Sequence, residues 1–277
     1  MGANPDPTLT DLGFRLASPS PALRPYIQSY WAFSRAAPLR QRHEEYMHPR
    51  GGYGLAFNFG GPALLDGEGI GEPIFLDGDT TISRRMGFLG SIEMVGVRFR
   101  EGGAYPFLGV PLGELRNTTR LLDAVGHTRM PELYHRLYSA RTLEMRVQLL
   151  DAWLLARLAS AKPQDKIIPY SLALLRDAAS PHAIPQVTDR LAISQRQLER
   201  IYHCHVGMSP KQYASLLRID SARQALRRGY AMPIGQLAAE LGFYDQPHFV
   251  REFRAVVGMP PSAYRARSRQ GRPEQPN

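Results

Sequence analysis

The chain has 277 residues, 43% of them hydrophobic and 9% aromatic, a globular composition that excludes disordered and fibrous classes and suits two domains. No run approaches 18 consecutive apolar residues, and Met1-Gly2-Ala3-Asn4-Pro5-Asp6-Pro7 lacks an export signal's basic and apolar regions, so a cytoplasmic protein without a membrane partner is expected. The formal charge of +9 is uneven: 19 basic against 17 acidic residues through position 170 (net +2), then 15 against 8 (net +7), which points the second part at an anionic partner.

From about residue 24 to 110 the sequence reads as strands. Tyr26–Phe33 is rich in aromatic and β-branched residues, while Tyr53–Phe59 and Ile92–Arg100 alternate in polarity. Turn clusters such as Gly60-Gly61-Pro62, Asp66-Gly67-Glu68-Gly69 and Asp77-Gly78-Asp79 separate them. Short strands at this spacing predict an antiparallel β-barrel or sandwich. From Asn117 the period becomes helical, with Leu133, Leu137, Leu143, Val147, Leu150, Leu154 and Leu158 marking one or two amphipathic helices. The polar, proline-bearing stretch 161–169 reads as a linker.

The second half repeats itself. Moved by 51 positions, Ser194–Tyr213 falls on Asp245–Tyr264: Leu198 on Phe249, Arg200 on Arg251, Tyr202 on Phe253, Gly207-Met208 on Gly258-Met259, Tyr213 on Tyr264. Upstream the shift is 50, setting Leu191-Ala192-Ile193 on Leu241-Gly242-Phe243. Each copy contains a short helix, a tight turn and a second helix. The first copy has Ile184, Val187 and Leu191 on one helix, then Ser194 as an N-cap with Gln197 three residues on. In the second copy Ile234, Leu237, Ala238 and Leu241 precede the N-cap Asp245, and Pro247 lies in the first turn. The outward faces of the second helices then carry Arg196, Glu199 and Arg200, and Gln246, His248 and Arg251. These are side chains suited to base edges and phosphates. A periodic run from Lys211 to Tyr230, with Gly229 as its stop, predicts a connecting helix about 30 Å long. One such rod could set two reading helices into successive major grooves, with Arg218, Arg223, Arg227 and Arg228 near the backbone.

With Ile193-Ser194-Gln195-Arg196-Gln197-Leu198-Glu199-Arg200, Leu241-Gly242-Phe243-Tyr244-Asp245-Gln246-Pro247-His248-Phe249 and the closing Gly258-Met259-Pro260-Pro261-Ser262-Ala263-Tyr264-Arg265, the segment from about Ile167 to Arg267 resembles the AraC/XylS family of bacterial transcription regulators. The resemblance implies an all-α domain of two helix-turn-helix modules joined by a long helix, contacting double-stranded DNA at tandem major-groove half-sites. It places Arg196, Glu199, Arg200, Arg218, Gln246, Pro247, His248 and Arg251 at DNA-contacting positions. Two departures stand out. Ala192 occupies a turn position where the family usually has glycine, at a cost of about 1 kcal/mol if φ is positive there. Pro247 replaces a side chain that often donates a hydrogen bond. The segment from Val95 to Leu112 more loosely resembles the cupin-like sensor domains often fused to such regulators.

The expected whole is an α+β multidomain chain: a cupin-like sensor and dimerisation domain with a helical end at 1–162, the double helix-turn-helix domain at 163–270, and a disordered tail at 271–277. A small-molecule effector, a homodimer and, for an activator, RNA polymerase are the further partners this implies. Tyr46, Tyr53, Phe57, Phe59 and Phe99 are candidate effector-binding residues, although aromatics in a small barrel also fill its interior. Arg98 and Arg100 read equally as an anion clamp or as outward strand charges. His43, Glu44 and His48 lack the spacing of a cupin metal site, so neither metal nor other cofactor is expected. The single Cys204 excludes an internal disulfide and reads as a half-buried helix-end residue or a redox sensor. No nucleophile–base constellation is visible, so an enzyme is not expected. A regulator governed by a protein partner or by abundance, and a metal-dependent cupin enzyme with a DNA-binding tail, are the alternatives.

Overall fold

The computed structural model describes residues 11–49, 52–78, 82–116, 130–161, 163–177, 183–228 and 232–270. The tail 271–277, Gly229 and the helical onset at Asn117 lie outside the described residues. Strands come first. β1 (Phe14–Ala17), β2 (Ile27–Met47), β3 (Gly54–Asn58), β4 (Ala63–Leu65), β5 (Glu68–Gly69), β6 (Ile74–Asp77) and β7 (Arg84–Phe99) form one antiparallel sheet. β7 is its axis: β2 pairs with it from Ile27 opposite Phe99 to Met47 opposite Arg84, while β3 and β4 share its other edge. The sequence reading ended the first strand at Phe33, yet β2 runs on through the polar stretch to Met47. A long ladder partner satisfies its backbone whatever the side chains. Pro38 is tolerated because it falls in the register shift between Arg35 and Leu39, where no ladder N–H is needed.

The expected barrel is not closed. Among the described residues β1 pairs only with β2, β6 only with β3 and β5 only with β4, so the sheet keeps open edges. These edge strands are two to four residues long, too short to reach round and meet. Helices cover the face instead. After α1 (Tyr105–Leu108), α2 (Met130–Ser139) and α3 (Leu143–Leu158) set Leu133, Leu137, Leu150 and Leu154 against Tyr30, Phe57, Val95, Val97 and Phe99. Thr142 starts α3 by accepting from the Met145 N–H at 3.2 Å. Because successive strand residues face opposite sides, Ala56, Phe75, Met86, Phe88 and Met94 form a second cluster on the other face, with Trp31 and Phe33 packed on it. Two polar ties lock α3 down. The Tyr30 hydroxyl donates to Asp151 at 2.5 Å, and buried Arg146 donates to the Leu137 carbonyl at 3.0 Å while pairing with Glu93.

The remaining helices are α4 (Ile167–Asp177), α5 (Ala183–Leu191), α6 (Gln195–His205), α7 (Pro210–Arg227), α8 (Ile234–Glu240), α9 (Gln246–Val257) and α10 (Pro261–Gln270). They build two separate cores. Ile168, Leu172, Val187, Leu198 and Tyr202 pack with Tyr213 and Leu216 of α7. Leu237, Phe243, Phe249, Phe253 and Tyr264 pack with Ile219, Ala222 and Leu226 of the same helix. Its 18 residues span about 27 Å, and a full Ser209–Gln212 capping box opens it.

The turn between α5 and α6 bears out the concern over alanine. Ala192 has φ +52°, and its counterpart between α8 and α9, Gly242, has φ +70°. The left-handed backbone costs a Cβ-bearing residue about 1–2 kcal/mol. Ala192→Gly is therefore expected to stabilise the protein by about 0.5–1 kcal/mol, net of the entropy glycine adds to the unfolded chain. Urea unfolding of both proteins checks it, and an equal or lower midpoint for the variant would refute the strain.

Candidate nucleic-acid interface

Helices α6 and α9 are built alike. Each begins at a side-chain cap: Ser194 accepts from the Gln197 N–H at 3.2 Å, and Asp245 from the His248 N–H at 2.6 Å. Each buries one stripe, Leu198, Ile201, Tyr202 and His205 on α6 and Phe249, Phe253 and Val257 on α9. The N-terminal halves are therefore solvent-facing. Arg196, Glu199, Arg200, Gln246, Pro247 and Arg251 are all exposed, and Arg200 and Arg251 hold the same repeat position. The exposed Arg196 and Arg200 on α6 and Arg251 on α9 are the side chains on these faces that favour anionic oxygens.

Three expected residues are engaged within the protein. Glu199 accepts from Gln195 Nε2 at 2.9 Å, one turn back along α6. His248 is half-buried, with Nε2 3.1 Å from Glu252 Oε1 and its ring 5.8 Å from that of Phe243. Arg218 is turned inward, its guanidinium 5.1 Å from the Phe243 ring centre and 3.9 Å from Glu252. Glu252 also accepts from the Ser215 hydroxyl at 2.7 Å, so Arg218 belongs to a network joining α7 to α9. Arg223 faces Asp220 at 2.8 Å and the Tyr264 ring.

Sequence reasoning missed Tyr244, which is 93% exposed immediately before the α9 cap. The change in repeat shift from 50 to 51 was the available signal. It marks one extra residue in the second turn, and Tyr244 has no counterpart in the first.

The five effector candidates are not gathered round one cavity. Tyr53, Phe57 and Phe99 lie buried beneath the helices. Phe59 packs on Tyr134 and beneath Arg146, at 5.2 and 4.7 Å. Tyr46 lies at the far end of the sheet under Arg267, 4.5 Å away. A shallow groove of about 480 Å³ lies elsewhere, between β1 and α3, lined by Arg15, Leu16, Leu143, Glu144 and Val147 among others. His43 bonds Glu45 at 2.8 Å and His48 lies 2.6 Å from Ser83, and no three His, Cys, Asp or Glu side chains converge among the described residues. Arg98 pairs with Asp77 at 3.2 Å, and Arg100 donates to the Arg24 carbonyl at 2.7 Å. Cys204 is free and half-buried, facing Tyr105. No helix among the described residues is long and apolar enough to cross a membrane.

The sequence comparisons agree with this geometry. Residues 187–267 match a helix-turn-helix domain family, and residues 15–120 match a domain of unknown function (DUF6597). The regulator GbdR of Pseudomonas aeruginosa is 38% identical over 81 residues, 29% of this chain and 21% of that one. ArgR of the same species is 31% identical over 115 residues, 42% of this chain and 34% of that one. A putative AraC-like regulator of Streptomyces lividans is 31% identical over 102 residues, 36% of this chain and 33% of that one. The chain thus spans about a fifth to a third of the length of these relatives. ToxT of Vibrio cholerae, a solved structure, is 13% identical with a TM-score of 0.44, covering 85% of this chain and 98% of that one. The C-terminal part is a helix-turn-helix DNA-binding domain. Over this segment it is similar to AraC-like transcription regulators.

Burial at the end of α6 sets a pH dependence. The His205 ring lies 4.1 Å from Tyr105, and desolvation holds its imidazole below the ordinary histidine value, with Asp165 pulling the other way. A depressed folded-state value favours the neutral ring, so its stabilisation is complete above the ordinary value of about 6.5. It is lost as the pH falls from there toward the folded value. The fall in stability between about pH 7 and 5 is expected to be steeper for the wild type than for His205→Gln, measured by thermal unfolding. Parallel curves would exclude His205 as the cause.

Proposed function

We propose that this chain is a cytoplasmic, sequence-specific DNA-binding transcription regulator of the AraC/XylS type, not an enzyme. In this reading residues 163–270 form two helix-turn-helix modules that contact tandem major-groove half-sites of double-stranded DNA. Residues 1–162 sense a small molecule and dimerise, and RNA polymerase is a further partner if the protein activates. Effector binding would shift the population able to occupy both half-sites. One observation carries the reading: α6 and α9 expose matching N-terminal halves, with Arg200 and Arg251 in register, on one connecting helix about 27 Å long. That length approaches one turn of B-DNA, about 34 Å.

Arg196, Arg200, Gln246 and Arg251 are the base-reading and phosphate-contacting residues of this proposal, with Pro247 packing close to the groove. Glu199 joins them from its bond with Gln195. Arg218 and His248 act mainly by holding α9 against α7. A regulator without a ligand is the second reading. It is favoured by the clustering of Phe75, Met86, Phe88 and Met94 on one sheet face and of Phe57 and Phe99 under the helices on the other, which fills the space with side chains.

The test is footprinting of DNA upstream of the protein's own and neighbouring genes, with excess non-specific competitor, at two salt concentrations. A protected stretch of about two helical turns per protomer that survives competitor is expected. Binding that vanishes would leave only the charge of the second half. Arg200→Ala and Arg251→Ala are each expected to weaken specific binding by about 1–3 kcal/mol at fixed salt. Unchanged affinity would remove that arginine from the interface.

A further inference from the structure

The sheet touches both modules, and it touches each at the C-terminal end of its second helix. At the first, the Tyr53 hydroxyl donates to the Leu112 carbonyl at 2.6 Å. There it lies so close to Gly207 that a Cβ on this residue would sit 2.1 Å from the oxygen. His203 lies as close against Gly113, and the His205 ring meets Tyr105 at a tilt, 4.1 Å away. At the second, the Ser83 N–H and hydroxyl both donate to the Val256 carbonyl, at 2.6 and 2.9 Å. That carbonyl belongs to the last turn of α9, where helix carbonyls have no partner of their own. With the Ser83 proton given to Val256, His48 Nδ1 donates to the Ser83 oxygen at 2.6 Å. The Tyr264 ring meets His48 edge-on at 5.9 Å, and Arg267 covers Tyr46.

These contacts close a loop. The two modules have separate cores and share α7, the Glu252 network and the side chain of Val256. A single helix bends along its length. A second path through a rigid sheet removes that freedom, because sheet, α6, α7 and α9 then form a closed frame. We propose that the N-terminal sheet is a strut that fixes the spacing and angle of the two reading helices, with Tyr46, His48 and Ser83 as positioning residues that set which half-site spacing the protein accepts. The proposal rests on the DNA-reading role given above. It assigns spacing specificity to residues more than 110 positions from the helices they aim.

The test uses the full chain and the Tyr46→Ala/His48→Ala double variant, which leaves every residue of 187–267 unaltered. Nitroxides at Gln197→Cys and Arg254→Cys, both exposed positions, in a Cys204→Ser background report the distance between α6 and α9 without DNA. One narrow distance is expected for the otherwise wild-type protein and a broadened or displaced one for the variant, with the circular dichroism spectrum unchanged. Affinity is then measured on the footprinted site and on the same site with one base pair inserted between half-sites. The insertion moves the second half-site by about 3.4 Å and turns it by about 35°. The wild type is expected to lose about tenfold or more, and the variant about threefold or less. If the double variant fails to fold, Arg267→Ala loosens the same joint from the other side. An unchanged distance distribution overturns the strut whatever the DNA does, and an unchanged spacing preference overturns its role in specificity. A broadened distribution in a protein that never binds DNA specifically overturns the DNA reading and confirms the contact as a mechanical link.

Discussion

One helix is buried in two cores at once, and the C-terminal half depends on it. Tyr213 and Leu216 of Pro210–Arg227 complete the first core, while Ile219, Ala222 and Leu226 complete the second. Neither module has enough apolar surface to close on itself, since each second helix buries only one narrow stripe. Sharing a rod solves the packing problem and also couples the two cores, because any bend in the rod turns Gln195–His205 relative to Gln246–Val257. The Ser215–Glu252–Arg218 network lies just where the two cores meet and stiffens that joint.

The sheet answers a similar constraint in another way. With short edge strands it cannot complete a ring, so helices Met130–Ser139 and Leu143–Leu158 supply the missing apolar cover. Asp151 and Arg146 then fix how the helices lie, each using a polar group close to the covered face. The result is a sheet packed on both faces. Close packing is what would make its two attachments to the C-terminal helices consequential. A soft domain touching Gly207 and Val256 would constrain nothing.

The repeat, the caps, the apolar stripes and the strain at Ala192 were all legible in the sequence, because each is a relation between residues a few positions apart. Ser194 and Asp245 cap the helices they were expected to cap, and Arg200 and Arg251 stand exposed at matching positions. Tyr53, Phe57 and Phe99 show where such reading stops. Alternation says that a strand has two faces but not which face a helix from elsewhere in the chain will cover. Likewise, the sequence offers Arg218 as an outward residue of its helix, and only the position of Phe243 and Glu252 turns it inward.

The sequence by itself determined the helix-turn-helix class of the C-terminal part, its internal repeat and the basic positions left exposed on its capped helices. Those follow from helix periodicity, capping chemistry and charge, which act locally. The tertiary structure alone decided that the sheet stays open and that the candidate aromatics scatter. It also decided that the sheet grips both second helices at their ends. These depend on pairs such as Ser83 and Val256, 173 positions apart, whose approach no local pattern encodes. Contacts of that kind form only once the separate cores have folded and brought their surfaces together.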